Sequence, residues 1–109
     1  MTEHLNTVTL VGRVSDAAEQ RELPSGDLLV TFRVVVDRPP TRESTRRAVD
    51  VIDVACWTKR TQRTATGLAP DQGVRVEGAL RRRFFATGVG RSSRYEVEAR
   101  SLARVSVAG

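Results

Sequence analysis

Val74-Arg75-Val76-Glu77-Gly78-Ala79-Leu80-Arg81-Arg82-Arg83-Phe84-Phe85 is the stretch on which the reading of this chain turns. Successive side chains of a β-strand point to opposite faces. Arg81, Arg83 and Phe85 therefore share one face, and Leu80, Arg82 and Phe84 share the other. Two guanidinium groups and a ring in a row form a platform on which cations hold phosphates and rings stack on bases regardless of sequence. Of the adjacent phenylalanines, Phe84 is expected in the core and Phe85 beside the arginines. Upstream, Ile52-Asp53-Val54-Ala55-Cys56-Trp57-Thr58-Lys59 supplies a second strand end. Its alternation sends Ile52, Val54 and Cys56 inward and places Trp57 on the face of Val51, Asp53 and Ala55.

Working outward, turn signals cut the rest of the chain into short strands. Thr7 to Val14 alternates, with Val8, Leu10, Gly12 and Val14 on one side. A polar stretch, Ser15 to Arg21, leads into Leu23-Pro24-Ser25-Gly26-Asp27, which has proline and glycine where a tight turn wants them. Leu28 to Asp37 puts Leu28, Val30, Phe32, Val34 and Val36 on one face and Arg33 on the other. Pro39-Pro40 ends that strand, because proline removes a ladder donor. Arg38 to Arg47 then reads as a long arginine-bearing hairpin loop, followed by a strand from Val49 to Thr58. Lys59 to Thr66 reads as a short helix, closed off by Gly67, Pro70 and Gly73. Val74 to Phe85 and Arg94 to Leu102 complete five strands, joined by a loop from Ala86 to Ser93. The order is that of a five-stranded, all-β oligonucleotide-binding (OB) barrel of Greek-key type, with one short helix between its third and fourth strands. One such domain fills residues 1–109, with its core at about 5–105.

Charge points the same way. The net charge is +5, yet residues 1–37 hold six acids and three bases, whereas 38–109 hold seven acids and fifteen bases. A concentrated basic surface attracts polyanions, nucleic acid above all. Lys59 is the only lysine; a GC-rich source would give that preference with no functional selection, but would not explain where the arginines sit. Arg33, Arg38, Arg42, Arg46, Arg47, Lys59, Arg81, Arg83, Arg91 and Arg94 are the candidate cationic contacts, and Trp57 and Phe85 the candidate stacking rings. Asp53 lies on the same face and would repel phosphate unless Arg81 or Arg83 neutralises it.

Other chemistries find little support. His4 has no cysteine or histidine partner, so no metal or other cofactor is expected. Cys56 reads as a small buried hydrophobe in a reducing compartment. Asp50 and Asp53, three apart, face opposite ways on a strand and cannot act as a catalytic pair. Gly88-Val89-Gly90 reads as a turn, lacking the third glycine and the strand-to-helix setting of a dinucleotide site. No apolar run reaches membrane-spanning length and no signal segment is evident, so a soluble, cytoplasmic, nucleoid-associated protein that is not an enzyme is expected.

Four pieces in order resemble the bacterial single-stranded DNA-binding proteins. Asn6 to Val14 is similar to that family's opening strand, and Arg21-x-Leu23-Pro24-x-Gly26 to its first turn. Val74 to Arg83 resembles its fourth strand, and Arg94-Tyr95 the start of its fifth. The resemblance implies sequence-independent binding of single-stranded DNA in replication, recombination or repair. It also implies a homo-oligomer, commonly a tetramer with a dimer as alternative, whose first strands pair across an axis. Of the four positions where the family stacks bases, Trp57 and Phe85 fill two, while Pro40 and Val51 stand at the others. Ile52 and Arg75 stand at family interface positions. The family's acidic, enzyme-recruiting tail has no counterpart before Gly109, so tail-recruited enzymes are not expected among the partners. Two further functions fit the same barrel: a protein-interaction module and an RNA-binding domain.

Overall fold

The computed structural model describes residues 1–43 and 46–107, apart from the Thr87 side chain. Positions 44 and 45 of the expected arginine loop lie outside the described residues. The elements run β1 (Val8–Val14), β2 (Glu19–Glu22), β3 (Leu28–Asp37), β4 (Val49–Cys56), α1 (Lys59–Thr66), β5 (Gly73–Thr87) and β6 (Gly90–Arg104). They form one sheet in the order β1-β5-β6-β4-β3-β2, and a further β1–β3 pairing closes it. Five strands thus make a barrel as expected. β2 is an addition: it pairs with β3 alone, from Glu19↔Thr31 to Glu22↔Leu28.

Closure depends on two short seams. β4 and β6 run parallel through Val54↔Val97 and Ala55↔Glu98. β1 meets β3 at Arg13↔Val35 and Val14↔Val34. Strands this close need a residue without a side chain, and a Cβ on Gly12 would collide with the Val35 carbonyl. A Cβ on Gly78 would strike the Glu98 carbonyl, at the point where the β5–β6 register shifts.

The alternating residues of the strands fill the interior. Val14, Val30, Phe32, Val34, Val54, Cys56, Val74, Val76, Val97 and Ala99 are buried together, with Val8, Leu10, Ile52 and Leu102 packed against them. Leu29 breaks the pattern, being buried on the opposite face of β3. It lies under β2, pairing with Arg21. α1 covers one end of the barrel. The Thr58 hydroxyl caps it by accepting from the Thr61 N–H. Gln62 Nε2 donates to the carbonyls of Leu28 (2.8 Å) and Cys56 (3.0 Å), which ties the helix to β3 and β4. Ala65 and Leu68 complete the plug. Burial pushes the Cys56 thiol up to about 11, with a hydrogen bond to Thr61 working the other way.

β5 and β6 outrun the barrel. β1 covers β5 only as far as Val8↔Gly78, whereas β5 and β6 stay paired to Thr87↔Gly90. The expected loop from Ala86 to Ser93 is therefore strand on both sides of a two-residue turn at Gly88 and Val89, with Gly90 at φ 137°. The result is a two-stranded ribbon whose outer part, residues 84–86 and 90–95, is exposed on both faces.

Candidate nucleic-acid interface

Register decides which side chains meet. Arg33 stands opposite Asp53 across β3 and β4, and Val35 opposite Val51. On the ribbon Ala79↔Glu98, Arg81↔Glu96 and Arg83↔Arg94 share one face. These residues, with Trp57 just past β4, make a continuous outer surface of the barrel. A groove of ≈ 390 Å³ runs along it, lined by β2 residues and by Leu29, Thr31, Arg33, Asp53, Ala55, Arg83, Arg94 and Glu96.

Two ring and guanidinium pairs stand on this surface. The Arg83 Cζ lies 5.5 Å from the Trp57 ring, and the Arg94 Cζ 5.7 Å from the Phe85 ring. Trp57 is 36% exposed and Phe85 41%, so each offers part of a face to a ligand. The arginines of the floor are not free charges. Arg33 Nε donates to Asp53 (3.1 Å), Arg81 Nε to Glu98 (2.8 Å), and Arg83 reaches the buried Glu96 at 3.5 Å. Arg33 therefore neutralises Asp53, where the sequence pointed to Arg81 or Arg83. The groove lining holds four arginines (Arg21, Arg33, Arg83, Arg94) and four carboxylates (Asp16, Glu19, Asp53, Glu96). Its charge is balanced.

Uncompensated charge lies outside the groove lining, on a rim formed by the β3–β4 loop and the start of α1. Arg42, Arg47 and Lys59 are exposed, and none has a carboxylate partner among the described residues. Arg38 differs. It donates to Asp50 from Nη2 (2.6 Å) and Nε (3.0 Å) at the foot of the β3–β4 loop. That hydrogen bond holds the Asp50 carboxyl below its usual range and raises Arg38. Arg46 and Arg47 line a second groove with Arg13, Asp37, Pro39, Pro40 and Val49, at the far end of β3 and β4. Arg91, expected in a loop, sits on strand β6 with Arg94, at opposite parity. Arg94 joins Arg83, whereas Arg91 lies opposite Ala86 on the other face of the ribbon.

The expectation that Phe84 is core does not hold: it is 61% exposed. Parity places it on the interior side of β5, but the interior has ended where β5 leaves the barrel. Nothing local marks Glu96 and Glu98 as partners of Arg83 and Arg81, because those contacts depend on register. Among the described residues, no group of three or more His, Cys, Asp or Glu side chains could hold a metal ion, and no helix is long and apolar enough to cross a membrane.

Known proteins share this architecture. Residues 5–105 match the Single-strand binding protein family. "Single-stranded DNA-binding protein A" of Bacillus subtilis is 33% identical over 99 residues, which are 90% of this chain and 58% of that protein. "Single-stranded DNA-binding protein" of Halalkalibacterium halodurans is 31% identical over 87 residues, 80% of this chain and 52% of that one. The chain thus spans little more than half the length of these relatives. A solved structure described as a Plasmodium falciparum SSB complex with ssDNA has the same fold. It superposes with a TM-score of 0.80 at 20% identity over 97% of this chain and 99% of that one. With the match running through every strand of the barrel, the chain belongs to the single-strand binding protein family.

Proposed function

We propose that this chain binds single-stranded DNA without sequence preference, as a non-enzymatic protein of replication, recombination or repair. The observation that carries the reading is the pairing of Trp57 with Arg83 and Phe85 with Arg94 on one outer surface of the barrel. Rings half open to solvent and flanked by guanidinium groups accept any base, since every base has a π-face. The names of its relatives and the ssDNA complex of its structural neighbour support the same ligand. Trp57 is the only tryptophan, so its fluorescence has one source. Oligothymidine should quench it to saturation; a flat signal alongside binding in an independent assay would remove Trp57 from the stacking surface. An RNA strand of equal length should bind no better, because rings and guanidinium groups engage base faces and phosphates, which both strands share.

Assembly belongs to the same proposal. Val8 to Gly12 pair only with β5 among the described residues, which leaves the other edge of β1 open for a second copy. Val11 is 45% exposed beside it. A homo-oligomer, dimer or tetramer, in the cytoplasm and on the nucleoid, is the corresponding reading.

A further inference from the structure

We infer that the reverse face of the β5–β6 ribbon is a second contact surface for the same single strand, built on Phe84 and Tyr95. The inference rests on the single-strand-binding reading and extends it to residues outside the groove. Arg82, Phe84 and Ala86 of β5 face this way, opposite Tyr95, Ser93 and Arg91 of β6, with Leu80 at the base where its partner Val97 enters the core. Phe84 is 61% exposed and Tyr95 59%, both more open than Phe85. Exposed rings this close together are uncommon on a surface with nothing to bind. The Arg82 guanidinium lies between them, its Cζ 4.8 Å from the Phe84 ring and 5.5 Å from the Tyr95 ring. Two donations to the Ser93 hydroxyl, each 3.2 Å, hold it there.

Charge selects the occupant. The groove face of the ribbon carries Glu96 and Glu98, which neutralise Arg83 and Arg81. None of the ribbon residues on the reverse face is acidic, and neither Arg82 nor Arg91 has a carboxylate partner among the described residues. Positive charge with open rings suits a polyanion that has π-faces, and a single strand supplies both. β1 leaves β5 at Gly78 and the Asn6 side chain caps the Leu80 N–H and carbonyl, so the β5 edge of the ribbon is open only beyond Leu80. A strand leaving Phe85 can turn over that edge and stack its next bases on Phe84 and Tyr95.

Strand length tests this. An oligothymidine of about 6 nucleotides fills one barrel surface, within the roughly 4–16 that one such barrel covers; one several times longer can also cross the ribbon. Phe84→Ala should leave binding of the short strand within about twofold and weaken the long strand by about 5- to 150-fold, the 1–3 kcal/mol of one stacked base. In a Trp57→Phe background, the fluorescence of a Phe84→Trp variant should be quenched by the long strand and not by the short one. Failure of the wild type to bind either strand would defeat the underlying reading. Normal wild-type binding, with Phe84→Ala matching it at both lengths and no quenching of the introduced indole, would defeat this inference alone. The latter result, together with loss of self-association in Phe84→Ala, would assign the face to a second copy of the chain.

Discussion

The floor of the groove and its rim are both rich in arginine, but they hold it differently. On the floor Arg33 and Arg83, and beside them Arg81 on the same face of the sheet, each meet a carboxylate, at 3.1, 3.5 and 2.8 Å. At the rim Arg42, Arg47 and Lys59 meet none among the described residues. The same residue type therefore has two jobs. A floor arginine flattens and orients the surface: Arg83 is held by Glu96 while it lies against Trp57. Under the proposed single-strand binding, a rim arginine keeps its charge for phosphate. Affinity then divides into a stacking part from the floor and a salt-sensitive part from the rim.

The largest effect should come from stripping the floor of its rings. Trp57→Ala with Phe85→Ala should lose about 2–6 kcal/mol of binding, at 1–3 kcal/mol per stacked base, with little change in salt dependence. Titration with oligothymidine at several salt concentrations checks both parts. A large fall in the salt slope would merge floor and rim into one electrostatic surface.

Next comes the support of the floor. Arg83→Ala leaves Glu96, 6% exposed, without its cation. Chemical denaturation should show a loss of about 1–3 kcal/mol, the cost of stranding a buried polar group. Adding Glu96→Gln should restore most of it. Arg47→Ala should leave stability unchanged, since Arg47 is exposed and has no carboxylate partner among the described residues.

A smaller effect, silent at neutral pH, separates the barrel interior from both surfaces. The Cys56 thiol is raised from 9.0 to about 11 in the folded chain. Its contribution to stability is complete below pH 9 and is lost as pH rises through 11. Melting temperature should fall over that window in the wild type and less in Cys56→Ala. Below it, thiol reagents should leave Cys56 unmodified, since the thiol is buried.

Much of this was legible in the chain because alternation reports which face of a strand is covered. Leu28–Asp37 and Lys59–Thr66 appear where the pattern and its breakers put them. β2 was not legible: Glu19-Gln20-Arg21-Glu22 is exposed at every position and has no apolar side to betray it. Nor was the ribbon. Ala86 to Ser93 looks like a loop by composition, and only cross-strand pairing to Thr87↔Gly90 makes it a strand. Phe84 shows the limit of parity, which assigns a face without saying where the cover stops. The candidate rings, Trp57 and Phe85, could be read locally. The partners of Arg33, Arg81 and Arg83 could not, since each comes from a different strand brought alongside by register.

The most direct test compares the salt slopes of floor and rim. Replacing the floor pair as a unit, Arg33→Gln with Asp53→Asn, should leave the slope of log K against log salt unchanged, because the pair releases no counterion. Replacing Arg42 or Arg47 by Ala should lower it by about 0.7 each, the value for one single-strand phosphate contact. Equal slopes in all three variants would contradict the division between a neutral stacking floor and a charged rim.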